Sequence, residues 1–255
     1  MEETNKNKKY KISVICIFNN TELLNRFLLP SIEKQKYLNY EILLIDSEKL
    51  KFTKAADALN YGYSVSLGDI LLFVHQDVEL LDCQTLSQIA DFCSDHEFGI
   101  AGVAGIVQNE KKVYSSVIQG DSKQNVGEKA SHIIYADSVD ECLFLFKRNS
   151  FKEFDDLGNT WHLYAVDYSI KCKLKNEDVV IVPIKVYHYS PGLSLDDSYW
   201  KAVISLGKLY KNKIHKIPTV FGVFPNNGFL FIYIMLKRRT IDIKKLLERM
   251  SLKNE

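Results

Sequence analysis

Three runs of β-branched and aliphatic residues, KISVICIF (11–18), YEILLID (40–46) and DILLFV (69–74), each stop on polar residues, with helix-forming segments between them. Apolar residues fill consecutive rather than alternate positions, as in strands of a parallel sheet covered on both faces. The first intervening segment, ELLNRFLLPSIEKQ (22–35), has Thr21 as its expected cap and Pro30 as the residue expected to kink or divide it. The second, TKAADALNYGYSVSLG (53–68), carries a Thr start and a closing Gly68. This β-α-β-α-β order predicts a right-handed, doubly wound half-domain with helices on both faces, whose ligands bind at the carboxyl ends of its strands. Those ends are Asn19 and Asn20, Asp46 and Ser47, and His75, Gln76 and Asp77.

Further along, QTLSQIADFCSD (84–95) reads as a helix and FGIAGVAGIV (98–107) as one buried strand. KVYSSVIQG (112–120) and SHIIYAD (131–137) read as strands around the loop DSKQNVGEK (121–129), and ECLFLFKR (141–148) returns to the sheet. In NTWHLYAVDYSIKCKLKN (159–176), Leu163, Val166, Ile170 and Leu174 recur at helical spacing and should face the core. VVIVPIKVYHYSPG (179–192) supplies a strand with His188 after it, followed by a turn signal at 190–192.

With 46% hydrophobic and 25% charged residues, five Pro and twelve Gly, the chain is neither disordered nor linker-dominated. Cys16, Cys83, Cys93, Cys142 and Cys172 form no CxxC pair, and their odd number points to a reducing cytoplasm rather than a disulfide framework. The first residues lack the apolar segment of an export signal. FLFIYIML (229–236) falls well short of the ~20 residues needed to span a bilayer.

Charge is unevenly distributed: residues 201–255 hold 12 Lys/Arg against 3 Asp/Glu, leaving 21 against 29 in the first 200. An acidic body argues against a nucleic-acid partner. The tail, in which the apolar run meets Lys237, Arg238 and Arg239 and then the amphipathic-looking IDIKKLLERM (241–250), reads two ways. It suits contact with an anionic membrane surface, or it is a core helix with a solvated basic end. GIAGVAG (99–105) has Gly at every third position, unlike a dinucleotide fingerprint or a phosphate loop, and neither GxSxG nor HExxH occurs.

Taken together, residues 11–192 resemble the family 2 glycosyltransferases of the GT-A fold, inverting enzymes that use nucleotide-diphosphate sugars. The resemblance implies a mainly parallel, doubly wound α/β catalytic domain over 1–195 and a C-terminal helical, basic and apolar extension over 196–255. It implies nucleotide-sugar contacts at Asn19, at Asp46 for the nucleobase of a UDP or dTDP sugar, at Asn60 of the NYG stretch (60–62), and at Gln76. Where the family carries a metal-binding DxD, this chain has HQD (75–77), as a smaller branch of the family does.

Breaking a sugar to diphosphate bond builds negative charge on the leaving group, which a divalent ion offsets. Asp77 is the natural carboxylate ligand for Mg2+ or Mn2+, an imidazole from His75 favours Mn2+, and the family places a further ligand at His188. An extended HQD would put His75 and Asp77 on one side and Gln76 on the other. The family's acidic pair falls here on Tyr164 and Ala165, so Asp167 becomes the base candidate, with Asp155 and Asp156 as alternatives. Trp161 and His162 precede the same helix and are placed to line an acceptor pocket. Two readings follow: transfer of a sugar to a glycan or lipid-linked acceptor in cell-surface polysaccharide synthesis, at the cytoplasmic face of a membrane, or a catalytically silent relative that binds nucleotide sugar or glycan within an assembly complex.

Overall fold

The computed structural model describes residues 10–190 and 195–251, with residues 241–251 described as backbone alone. Its first half runs β1 (Ile12–Phe18), α1 (Thr21–Arg26), α2 (Leu28–Glu33), β2 (Tyr40–Asp46), α3 (Ala55–Val65), β3 (Ile70–Val74), β4 (Val78–Leu80) and α4 (Thr85–Asp95). There follow β5 (Ile100–Gly102), β6 (Ala104–Val107), β7 (Lys112–Ser115), β8 (Val117–Gln119), β9 (Gln124–Asn125), β10 (Glu128–Lys129), β11 (Ile134–Tyr135), β12 (Ser138–Val139) and β13 (Leu143–Lys147). The chain continues through α5 (Tyr164–Leu174), β14 (Val179–Ile181), β15 (Val186–His188), α6 (Asp197–Leu209), β16 (Lys216–Thr219), β17 (Gly222–Pro225) and α7 (Leu230–Ser251).

The central sheet has seven strands in the order β11-β14-β5-β13-β3-β1-β2. β1 pairs in parallel with both β2 and β3, and β5 with β14, whereas β13 and β11 run against their neighbours. The sheet is therefore mostly parallel, with helices around it, as the strand composition predicts. Period-two alternation explains why the apolar runs are continuous. Val14, Cys16, Leu72, Val74, Leu143 and Leu145 point into one core layer, while Ile15, Leu71, Phe73, Phe144 and Phe146 point into the other. On the second face the rings of Phe73 and Phe144 stack 5.2 Å apart, and Phe146 stacks on Tyr168 of α5 at 4.6 Å.

Several local expectations are corrected. The first helical segment divides at Phe27, and Asn20 rather than Thr21 caps it, accepting from Leu23 N at 3.1 Å. α3 starts after Lys54 without a side-chain cap. Gly68 does not close that helix in a left-handed turn; a Cβ there would lie 2.5 Å from Ser13 N, so the glycine permits close approach to β1. FGIAGVAGIV is two strands, β5 and β6, which leave Val103 between them and join different sheets, and KVYSSVIQG likewise divides into β7 and β8. Leu174 is 45% exposed, outside the buried stripe of Leu163, Val166 and Ile170. Of the turn signal at 190–192, Pro191 and Gly192 lie outside the described residues, as do the side chains of IDIKKLLERM.

The C-terminal extension is not purely helical, because β16 and β17 form a two-stranded sheet between α6 and α7. Nor does it stand apart from the body. Leu157, Leu163, Val166 and Ile170 share one buried cluster with Tyr199, Trp200, Val203, Leu206, Phe224 and Ile234.

Candidate active site

The carboxyl ends of β1, β2 and β3 converge on a cavity of about 400 Å³, lined by Phe18 and Asn19, by Ser47, Glu48 and Phe52, and by His75, Gln76 and Asp77. Gln76 ties two of these ends together: its Oε1 accepts from Asn19 N at 3.1 Å and from Asn20 N at 2.8 Å, and its Nε2 donates to Asn19 Oδ1 at 2.9 Å. HQD is a turn, closed by Val78 N donating to His75 O at 3.2 Å, and not an extended segment. His75 and Asp77 lie together with His188, Gln76 bonds Asn19 and Asn20, and all three HQD residues line the cavity.

That third residue arrives through sheet register. β15 pairs antiparallel with β4, which sets His188 opposite Val78, next to Asp77 in the chain. One donor atom from each of His75, Asp77 and His188 lies within 4.8 Å of the others, and His188 Nε2 is 3.4 Å from Asp77 Oδ1. Two imidazoles and a carboxylate form a donor set that can hold a divalent metal ion. The second oxygen of Asp77 accepts from Ser190 N at 3.1 Å, and the Tyr164 hydroxyl lies 2.8 Å from His75 Nε2, so both ligand candidates are oriented by neighbours.

The electrostatics fit a cation site. Burial pushes the Asp77 carboxyl up, but the His188 hydrogen bond and charge and then the His75 charge outweigh it and hold it down to about 2. Burial, followed by the nearby His188, lowers His75 to about 4, which leaves its imidazole neutral and able to coordinate at physiological pH.

A second cavity, of about 530 Å³, opens on the other side of this cluster. Its walls combine Val113, Val117, Val126 and Phe221 with Gln119, Asp140, His162 and Ser190. His75, Asp77, Glu141 and Trp161 line both cavities. Trp161 is 40% exposed, and His162 sits 3.5 Å from Asp196 with its ring against Tyr199.

Five expected site residues stand elsewhere. Asp46 ends β2 as expected, but it is absent from the cavity wall and its Oδ1 accepts from Lys49 N at 2.9 Å, so the turn rather than the cavity uses its carboxylate. Asn60 is a structural tie from α3, donating to Phe154 O at 3.0 Å and accepting from Phe154 N at 2.9 Å. Asp167 is fully buried away from both cavities, accepting from Tyr210 Oη at 2.6 Å and paired with Lys171 Nζ at 3.0 Å. Asp155 pairs with Lys171 at 3.1 Å and Asp156 with Lys54 at 2.5 Å, which makes the alternatives surface ion pairs.

Sequence reasoning missed Glu48, Asp140 and Glu141. The acidic pair at 140–141 precedes β13, and because β13 runs antiparallel to β3 its starting end lies beside the finishing end of β3, with His75 N donating to Cys142 O at 3.0 Å. Reading only carboxyl ends of strands passes over such a position.

Comparison with known families matches residues 13–208 to the glycosyltransferase-like family, a span that takes in all of α6 but its last residue. No curated protein is matched. Among solved structures, the chain is similar to a mannosyltransferase from Pyrobaculum calidifontis determined in complex with GDP-Man and Mn2+, at 16% identity and a TM-score of 0.50, covering 79% of this chain. The chain spans 62% of that protein's length.

Proposed function

The chain belongs to the glycosyltransferase-like family, and on that premise we propose that it transfers a sugar from a nucleotide-diphosphate donor to an acceptor hydroxyl with inversion. Its architecture is the GT-A arrangement of a mostly parallel sheet flanked by helices. The observation that carries the reading is that the ends of β1, β2 and β3 line one cavity together with His75 and Asp77, which His188 joins in a cluster from the wall of the neighbouring cavity. A UDP or dTDP sugar would lie across those ends, with Ser47 and Glu48 taking the base contact first assigned to Asp46. Phe18 and Phe52 supply flat apolar surface beside it. The mannosyltransferase similar in fold binds GDP-Man and Mn2+, which supports the same donor class here.

His75, Asp77 and His188 are the residues that would hold Mn2+ or Mg2+, and such an ion offsets the charge that develops on the leaving diphosphate. This chain's own residues do the rest. Gln76 and Asn19 brace the donor end of β1 against that of β3, Tyr164 fixes the His75 ring, and the side chains around the second cavity receive the acceptor.

A glycan or lipid-linked acceptor at the cytoplasmic membrane face is supported by α7. Phe229, Phe231, Ile232, Met235 and Leu236 are more than half exposed at its start, while Ile234 packs inward. No helix among the described residues is long and apolar enough to cross a membrane, so the proposed contact lies along the surface. Two of the expected cations are engaged within the chain: Lys237 donates to Phe221 O at 2.6 Å, and Arg238 pairs with Asp197. Apolar burial therefore carries more of this attachment than charge. A role in polysaccharide synthesis goes with such an acceptor.

The silent-relative reading draws on one observation, that the family's acidic pair is replaced by Tyr164 and Ala165, both buried. Thermal shift with UDP-glucose, dTDP-glucose and GDP-mannose, each with Mn2+ and with chelator, tests donor binding. A melting point that rises only with Mn2+ and one of these donors is expected; no rise with any of them refutes the proposal. Release of nucleoside diphosphate then separates the enzyme from the silent relative.

A further inference from the structure

Resting on the nucleotide-sugar reading, we propose that Glu141 is the general base that takes the proton from the acceptor hydroxyl. A donor in the first cavity and an acceptor in the second can meet only at the wall the cavities share, which is made by His75, Asp77, Glu141 and Trp161. A base must touch that meeting point. His75 and Asp77 belong to the cation cluster, and an indole offers no proton acceptor. Glu141 is the remaining member with a group that can receive a proton.

Its setting supports the role independently. Glu141 Oε1 is buried without a hydrogen-bond partner among the described residues. An unsatisfied buried oxygen is a penalty that a structural carboxylate would avoid by pairing. Of the other acids nearby, Glu48 lines the first cavity alone, Asp140 lines the second alone with its Oδ1 accepting from Cys142 N at 3.0 Å, and Asp167 is held by Tyr210 and Lys171. Burial, and after it the Asp140 charge, pushes the Glu141 carboxyl well above the usual range, against the pull of the Leu163 and Tyr164 amides at the start of α5. When ionised, a carboxylate so placed is a stronger base than a solvated one.

In the proposed step the acceptor oxygen forms a bond to the anomeric carbon from the face opposite the diphosphate. Its proton passes to the Glu141 carboxylate. The bond between the anomeric carbon and the diphosphate oxygen breaks, its electron pair stays on that oxygen, and the configuration inverts. Glu141 returns the proton to solvent after the products leave.

Glu141→Gln preserves shape and hydrogen bonding but cannot accept the proton. The test uses the full chain, Mn2+ and the donor selected from UDP-glucose, dTDP-glucose and GDP-mannose, with release of nucleoside diphosphate to water as the readout and donor affinity measured by calorimetry. Turnover should fall about 10²–10⁴-fold with donor affinity unchanged. Formate should restore part of the rate to Glu141→Ala and none to Asp167→Asn, which a merely structural role for Glu141 would not produce. If Glu141→Gln melts early, the Ala variant with formate decides the matter. Near-normal turnover by a folded Glu141→Gln overturns the assignment, as does loss of donor affinity or absence of formate rescue. A wild-type chain that binds a donor with Mn2+ but releases no diphosphate also overturns it while leaving the donor reading in place; failure to bind any donor removes the donor reading itself.

Discussion

Replacing Asp167 separates a structural anchor from a catalytic base. Its carboxylate joins α5 to the end of α6, with Tyr210 Oη at 2.6 Å, Lys171 Nζ at 3.0 Å and Asp155 N at 3.3 Å. Asp167→Ala removes all three contacts. Losing a hydrogen bond between Tyr210 and a charged acceptor costs about 1.5–3 kcal/mol. Breaking a buried ion pair costs about 3–5 kcal/mol when the remaining charge is stranded. Lys171 is not stranded, because Asp155 stays 3.1 Å away, so the total should sit near the lower end, about 3 kcal/mol. In a chain of this size that lowers the melting point by about 6–12 °C. Asp167→Asn, which keeps an oxygen for Tyr210, should cost about 1 kcal/mol.

The pH dependence gives a second signature. Burial raises the Asp167 carboxyl more than Lys171 and Tyr210 lower it. The folded state therefore binds the proton more tightly than the unfolded state. Stability from this group is gained as pH falls from the raised value toward the ordinary aspartate range and lost as pH rises through the raised value. Asp167→Asn should flatten that slope. Urea unfolding followed by circular dichroism at several pH values, for wild type and both variants, measures all of this. An Asp167→Ala chain with wild-type stability and abolished turnover would refute the argument and return the base role to Asp167.

Three further outcomes follow from the same geometry. Asp77→Asn should weaken Mn2+ binding, read by electron paramagnetic resonance, and make nucleotide affinity the same with ion and with chelator; retention of full ion dependence would exclude the His75, Asp77 and His188 cluster as the cation site. Gly68→Ala places a methyl 2.5 Å from Ser13 N, a backbone atom in a central strand, and should cost about 1–3 kcal/mol in urea unfolding; a neutral result would mean the segment after α3 shifts freely. Phe231→Ser combined with Met235→Ser, at positions 62% and 53% exposed, should abolish most flotation with anionic liposomes without lowering the melting point; equal flotation by both chains would make α7 an ordinary surface helix.

The sequence by itself determined the half-domain and the strand ends that line its cavity. Continuous apolar runs such as ISVICIF and ILLFV can be buried only if both faces are covered, and that forces parallel strands under helices whose polar ends gather at one edge. His75 and Asp77 were legible for that reason, and His188 from the resemblance. Tertiary structure decided the rest, because the remaining contacts join residues far apart in the chain. Only the antiparallel pairing of β13 with β3 carries Asp140 and Glu141 to the His75 end, and only the register of β15 on β4 sets His188 beside Asp77. Asp167 has the helical position of a candidate base, but the direction its carboxylate faces was settled by the packing of α6, whose end places the Tyr210 hydroxyl against it. A carboxylate's spacing along a helix is local information; whether it meets solvent, substrate or a buried phenol depends on which element packs over it.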